Sequence, residues 1–435
     1  MNDPTLAVLV LLLGAIVLYH LCSPDPRELF APPVIVAVVF FFYAVLAPRD
    51  AVQTGETNIL FLDALPSYPL AWRAVVVHLL GFLVGYHWLR GWLPRMRRSM
   101  PVSAAGLARL GYRICVWSTL AYGISAGFGF ILQLNPLVAR DFAGSSTPLL
   151  ALGALSNYFS YAINFLTLGI IFQLPAAFQI PSFRFNAYSW ILFTAVLYVN
   201  FGFRWRLAVL FGAVTILWHL LACRRPSWKL LLTLPLLLVV AGAMGVNRQY
   251  GGGIDFEAVS TLNLDELIHP TLTEGKSVFN MTALLIGDVQ DRGEYAGFLR
   301  PLVATISTLI PRQFLPGKDI ADYLRDAFVA VFDHPIAARM GLGVLNVGEY
   351  YLIGGWLGVF LIGMLIGYLA RLLWAWFRLN SNDPFVASLY TMATAFLYQL
   401  ISRGFTPGVF ILASFTFLPF LLFRRRLRAF LAAGP

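Results

Sequence analysis

Arginine is the residue type whose placement in this chain invites a chemical reading: of 31 basic residues, 28 are Arg. Arg204 and Arg206 stand beside a short break between two apolar runs. Arg248 and Arg339 bracket the longest polar stretch, Arg312 and Lys318 lie inside it, and Arg403 interrupts the apolar C-terminal part. A planar guanidinium offers paired N–H donors to two oxygens of one phosphate. Several such groups converging would suit a diphosphate and stabilise its charge as it leaves. Glu349 is the acid placed at the start of an apolar run in this region. It is positioned to orient or deprotonate a hydroxyl, or equally to pair with Arg312 or Arg339. Arg140 and Arg325, each beside an Asp, read as local ion pairs.

Other chemistries are excluded or weak. Gly251-Gly252-Gly253 lacks the Lys and the Ser/Thr of a phosphate loop, and there is neither a Gly-x-Ser-x-Gly elbow nor a His-Glu-x-x-His helix. Cys22, Cys115 and Cys223 build no disulfide framework or thiolate cluster. His20, His78, His87 and His219 lie in or beside apolar runs and read as packed side chains. Asp255-Phe256-Glu257 has the spacing of an acid pair that binds a metal and a sugar diphosphate, a pattern that also arises often by chance. Asn280-Met281-Thr282 is formally a glycosylation sequon. Gly81-xxx-Gly85, Gly123-xxx-Gly127 and Gly354-xxx-Gly358 speak to helix packing.

The elements that must position these groups are apolar. The chain of 435 residues is 59% hydrophobic and 12% charged, too little charge to cover a soluble globule. Its mean hydropathy is +0.74, which defines an all-α polytopic membrane protein. Nucleic acid is excluded as a partner despite the +10 net charge, because the basic residues sit in short clusters between apolar runs. Eleven spans are expected: 4–22, 31–47, 70–89, 110–133, 149–173, 187–202, 207–222, 230–246, 343–370, 384–402 and 407–423. The sixth and seventh are short enough to form one re-entrant hairpin. The first is read as a helix and not a signal peptide, having no basic start or cleavage site. With eleven spans, the clusters Arg90/Arg95/Arg97/Arg98/Arg109, Arg224/Arg225/Lys229, Arg371/Arg378 and Arg424/Arg425/Arg426/Arg428 all fall on one side, which the positive-inside rule makes cytoplasmic. The N-terminus is then outside and the C-terminus inside.

Residues 247–341 become a 95-residue outer loop with 12 of the 21 acidic residues and 8 basic ones. It is net negative where the rest of the chain is positive, and too long for a connector. An amphipathic helix is expected from Asp319, with Ile320, Leu324, Phe328 and Val331 on one face and Asp322, Arg325 and Asp326 on the other. A second runs from Pro301 through Leu302, Val303, Ile306 and Ile310 and stops at Pro311. The pair either caps the bundle or roofs a cavity open to the outer leaflet. Arg204, Arg206, Arg248, Arg312, Lys318, Arg339 and Arg403 all fall on the outer side, against the positive-inside bias. Charge at the membrane edge is costly and points to a site for a lipid-linked diphosphate.

The run Ile310-Pro311-Arg312-Gln313-Phe314-Leu315-Pro316-Gly317-Lys318 resembles the Ile-Pro-Arg…Pro-x-Lys stretch of O-antigen polymerases, the Wzy family. Gly348-Glu349-Tyr350-Tyr351-Leu352 with Gly354-Gly355-Trp356-Leu357-Gly358 resembles that family's Gly-Glu…Gly-x-x-Gly signature. Phe201-Gly202-Phe203-Arg204 is similar to its Gly-x-Arg at the mouth of a middle span, and Ser402-Arg403-Gly404 to an Arg-Gly near the end. The likeness covers roughly 190–410. Related O-antigen ligases carry His-Asn or His-Ser before the Glu-containing span. Here that position reads Gly343-Val344-Leu345-Asn346, which weighs against a ligase.

The resemblance implies a GT-C-type helical bundle in a bacterial inner membrane, with a cavity facing the periplasm. It implies transfer of a growing glycan from undecaprenyl diphosphate to a new lipid-linked repeat unit, without metal or nucleotide. A chain-length regulator is the protein partner such an enzyme would have, and membrane lipids surround it. On this reading Arg312 and Lys318 bind the donor diphosphate. Arg204, Arg248 and Arg403 bind or orient the acceptor carrier, assisted by Arg206 and Arg339. Glu349 orients or deprotonates the acceptor hydroxyl, and Tyr250, Tyr350 and Asp255 contact sugar. Arg312, Glu349 and Arg403 are the expected catalytic set. A flippase for lipid-linked sugar would instead carry ionisable residues at mid-membrane depth, which are nearly absent from these runs.

Overall fold

The computed structural model describes residues 3–92, 94, 98, 101–126, 161–200, 204–221, 264–310, 323–333 and 343–422, and these are nearly all helical. Five helices among the described residues are long and apolar enough to cross a membrane: Pro4–Leu21, Pro32–Thr54, Leu65–His87, Asn346–Leu379 and Pro384–Ser402. The protein is an all-α membrane protein. The expected run 230–246 lies outside the described residues, and each of the other ten overlaps a helix. The chain divides into two compact units, one of residues 1–96, 272–376 and 396–411, the other of 97–271, 377–395 and 412–435.

In the first unit, α1 (Pro4–Leu21) starts where Asp3 accepts a hydrogen bond from the Thr5 N–H and Pro4 takes the first helical position. α2 (Pro32–Phe41) opens on two prolines and passes through a π-helical turn, Phe42–Leu46, into α3 (Ala47–Thr54), which Gly55 ends at φ +73°. The Trp72 indole N–H donates to the Ala44 carbonyl inside that turn at 2.8 Å. A two-stranded hairpin, β1 (Asn58–Ile59) with β2 (Leu62–Asp63), leads to α4 (Tyr68–His87).

Glycines set the closest packing of this unit. A Cβ on Gly81 would strike the Phe360 carbonyl, and one on Gly85 would strike Met364. The facing helix supplies the reciprocal pair: Gly363 lies on the His78 carbonyl and Gly367 on that of Phe82. The Gly81-xxx-Gly85 motif therefore meets a second small-residue motif, Gly363-xxx-Gly367, and the two backbones touch.

Residues 247–341 hold more than the two helices that their periodicity predicts. They contain a 29-residue helix, α9 (Leu264–Arg292), which the polar composition of the stretch conceals. Phe279, Met281, Ala283, Leu285 and Ile286 are fully buried on it, and so are Lys276, Asn280 and Thr282. The sequon Asn280 accepts from the Tyr68 hydroxyl and donates to the Glu56 carbonyl at 2.9 Å, so it is a packing residue. α10 (Leu299–Leu309) starts two residues before the expected Pro301 and turns Leu299, Leu302, Val303 and Ile306 outward as one exposed apolar stripe. That is the form of a helix lying in a membrane interface. α11 (Tyr323–Phe332) buries Leu324 and Phe328 and exposes Arg325 and Asp326, as the periodicity predicts; residues 319–322 lie outside the described set.

Next comes α12 (Asn346–Leu379), which is broken at Gly354 (φ −160°, ψ 29°) and Gly355 (φ 57°, ψ −147°). The Ala296 N–H donates to the Leu352 carbonyl at 2.8 Å and the Gly297 N–H to that of Ile353 at 3.0 Å, replacing helical bonds that the break removes. Phe298 and Tyr295 pack against the bare faces of Gly354 and Gly355. The Gly354-xxx-Gly358 motif thus makes a helix break and not a helix–helix seam. α13 (Pro384–Ser402) and α14 (Thr406–Leu422) complete the described chain.

In the second unit, α5 (Ala104–Ala126) packs on α6 (Asn164–Gln179) through Gly111 and Gly169, whose backbones touch. α7 (Arg184–Asn200) places the Tyr198 hydroxyl on the Ile163 carbonyl at 3.0 Å. α8 (Arg204–Leu221) follows after three residues, so the sixth and seventh apolar runs are two helices. Asp383 accepts the Phe385 N–H at 3.0 Å and starts α13.

Candidate functional site

Glu349 lies in the first turn of α12 and is fully buried. Both of its carboxylate oxygens accept the Thr406 N–H at 3.0 Å, one takes the Thr406 hydroxyl at 2.7 Å, and Tyr323 donates its hydroxyl to the other. Thr406 is the first residue of α14, so the carboxylate also sits at the positive end of that helix dipole. One side chain therefore ties together α11, α12 and α14. No cation among the described residues pairs with Glu349; Arg312 and Arg339 lie outside them.

The segment before Glu349 is fixed as tightly. The Leu345 N–H donates to Thr282 of α9 at 2.8 Å, and the Gly404 N–H donates to the Val344 carbonyl at 2.6 Å. Gly404 has no room for a Cβ against Leu345, and Gly343 faces the Arg403 guanidinium. Residues 343–349 and 402–406 thus form one assembly.

Arg403 projects from it and pairs with Glu274 of α9, both side chains about a third exposed. Beneath, Tyr43 and Tyr398 share a hydrogen bond of 3.1 Å, and Gly275 packs on Ala47. Two residues along α9, the buried Lys276 ammonium meets Asp50 and Glu56, the latter at 2.8 Å, and reaches the Thr54 hydroxyl at 3.2 Å. The buried ammonium is tolerated because two part-exposed carboxylates and a hydroxyl surround it. Glu274, Lys276, Asp50 and Glu56 are not among the residues that the sequence singles out. The available signal was Glu274-x-Lys276, an acid and a base one turn before a buried stretch.

The remaining expected residues separate as follows. Tyr350 is buried with its ring against His78, centroids 5.7 Å apart, and offers no surface to a sugar in this conformation. Arg206 donates from Nε to Asn164 at 2.9 Å in the second unit. Arg204 starts α8. Arg248, Tyr250, Asp255, Arg312, Lys318 and Arg339 lie outside the described residues, as do Phe201-Gly202-Phe203 and the run 311–318.

The described cluster of the first unit carries the acids Asp50, Glu56, Glu274 and Glu349 against Lys276 and Arg403. Its carboxylates and tyrosines suit hydroxyl groups, and Arg403 is its accessible cation. A diphosphate would need further cations from the Arg312–Lys318 stretch. No group of three His, Cys, Asp or Glu side chains capable of holding a metal occurs among the described residues. Comparison with protein families, characterised proteins and solved structures gives no match, so the likeness to O-antigen polymerases stands on the motif residues alone.

Proposed function

We propose that the protein is a membrane glycosyltransferase of the O-antigen polymerase type, with eleven spans in a GT-C-like bundle of a bacterial inner membrane. It transfers a growing glycan from undecaprenyl diphosphate onto a new lipid-linked repeat unit at the periplasmic face. The observation that carries this reading is the meeting of two motif stretches far apart in sequence. Gly348-Glu349 and Ser402-Arg403-Gly404 are joined through Glu349 to Thr406 and Gly404 to Val344. They set one part-exposed guanidinium above a bed of carboxylates and tyrosines. In this assignment Arg403 grips a carrier phosphate. Glu349 acts as a positioning residue, because three donors occupy its carboxylate and it is closed to a substrate hydroxyl. Arg312 and Lys318 complete the diphosphate site, while Arg204, Arg206, Arg248, Arg339, Tyr250 and Asp255 serve the carrier and sugar.

Polysaccharide profiling of a deletion strain tests the reading. Loss of long polymer with retention of a single capped repeat is the expected result. Loss of every capped species would point to a ligase or a flippase and overturn it.

A further inference from the structure

The first unit holds a cavity of about 570 Å³ far along α12 from Glu349, lined by Tyr19, His20, Glu28, Tyr86, His87 and Arg371, with the turn Cys22–Pro24 at its rim. Arg371 follows the break at Gly355 by 16 residues, on the order of 24 Å of helix against a hydrocarbon core of about 30 Å, and Glu349 lies beyond the break. Arg371 belongs with Arg378 to a cluster that the positive-inside reading puts at the cytoplasmic leaflet, the face opposite the one read for Glu349. Tyr19 and Trp88 are largely exposed beside it, as aromatic side chains are at headgroup depth.

Arg371 is the group that lacks a partner there. Its guanidinium lies over the Tyr86 ring at 5.2 Å, its Nε is buried without a hydrogen-bond acceptor, and no described carboxylate pairs with it. The one acid of the wall, Glu28, is held by His20 Nδ1 at 2.9 Å. His87 stands edge-on to Tyr86 and Tyr19, with centroids 5.0 and 6.3 Å away. The cavity thus presents a guanidinium with no described carboxylate against it, a locally compensated His–Glu pair and aromatic walls. Arg371 lines the cavity with no described carboxylate against it, so an anionic oxygen entering the cavity meets an uncompensated guanidinium.

We infer that this cavity binds the phosphate of an anionic lipid headgroup from the cytoplasmic leaflet, with Arg371 as the gripping cation. The inference does not depend on the polymerase reading. It is tested on the full-length protein in nanodiscs of phosphatidylcholine with and without phosphatidylglycerol, by thermal unfolding and by native mass spectrometry of retained lipid. Phosphatidylglycerol raises the unfolding temperature of the wild type and stays bound. Arg371→Ala loses retention on the order of tenfold, Arg371→Lys keeps part of it, and Arg378→Ala, two turns further along α12, keeps all of it. Ser23→Trp, which fills the rim and leaves Arg371 in place, also loses retention, so the test survives if Arg371→Ala fails to fold. Equal retention in Arg371→Ala and wild type, or no preference of the wild type for phosphatidylglycerol, would overturn the inference. An Arg371-dependent shift with sodium phosphate, and none with phosphatidylglycerol, would replace the lipid with a soluble phosphate.

Discussion

Glu349 and Thr406 are 57 residues apart in sequence, and Glu349 receives both the backbone N–H and the hydroxyl of Thr406. Tyr323 adds a third donor. A carboxylate engaged in this way holds three helices together and leaves no open site for a reacting proton.

Glu349→Gln replaces one acceptor oxygen with an NH₂ group that faces existing donors. The expected cost is about 1.5–3 kcal/mol of stability, the range for hydrogen bonds to charged groups. Thr406→Val removes one of the three donors and should show a smaller loss. In both variants long polymer should fall in step with unfolding temperature. A Glu349→Gln protein with unchanged unfolding temperature and no polymer would instead mark Glu349 as a base.

Arg403 behaves differently because its ion pair with Glu274 is about a third exposed. Such pairs contribute little, about 0–1 kcal/mol after solvent screening. Arg403→Ala should therefore unfold near the wild-type temperature and still lose polymer in a complementation assay. Arg403→Lys keeps the charge without the two-pronged grip and should be intermediate. Glu274→Gln frees the guanidinium and should retain polymer. Exchanging the two residues should leave the unfolding temperature near that of the wild type and still lose polymer.

The contact of α4 with α12 makes a clean packing test. Gly363→Ala drives a methyl into the His78 carbonyl, and Gly85→Ala drives one into Met364. Each should cost about 1–3 kcal/mol, as overpacking does. Gly14 in α1 faces open space, with no atom within 4 Å of where a methyl would stand, so Gly14→Ala should be neutral or stabilising by about 0.5–1 kcal/mol. Thermal unfolding of the three variants in one detergent gives the comparison.

The apolar runs were legible because a membrane helix needs only length and hydropathy, and those runs coincide with α1, α4 and α13 within a few residues. α9 was not legible. Asp265, Glu266, Glu274, Lys276 and Asp288 interrupt its apolar pattern, so it reads as a polar loop. Lys276 is tolerated in the interior only because Asp50 and Glu56, more than 200 residues earlier in the chain, converge on it. Glu349 and Arg403 both stand out in the sequence. Their assembly was not readable, since it depends on Thr282, Val344 and Gly404, none of which has a chemical signature. Gly363 and Gly367 escaped for the same reason: a small residue signals contact only once its partner is known.

The break in α12 is where the backbone itself can be tested. Gly355 sits at φ 57° and ψ −147°, a region open to glycine and costly by about 1–3 kcal/mol for other residues. Gly354 lies near φ −160°, which any residue adopts, but the Phe298 ring leaves its Cα no room for a methyl. The break also frees the Leu352 and Ile353 carbonyls, which the 296–297 backbone satisfies. Helix break and flanking segment are therefore one device, and straightening the helix would evict residues 295–298. Gly355→Ala should either destabilise the protein or restore helical bonding at 352–355 and release that segment. Limited proteolysis separates the two, because a released segment is cut at 293–298 while the rest of the chain stays intact. Because Glu349 lies one and a half turns before the break, release should also shift its register against Thr406 and lower polymer output. Cleavage at 293–298 with wild-type polymer would show that the break and the Glu349 latch are independent.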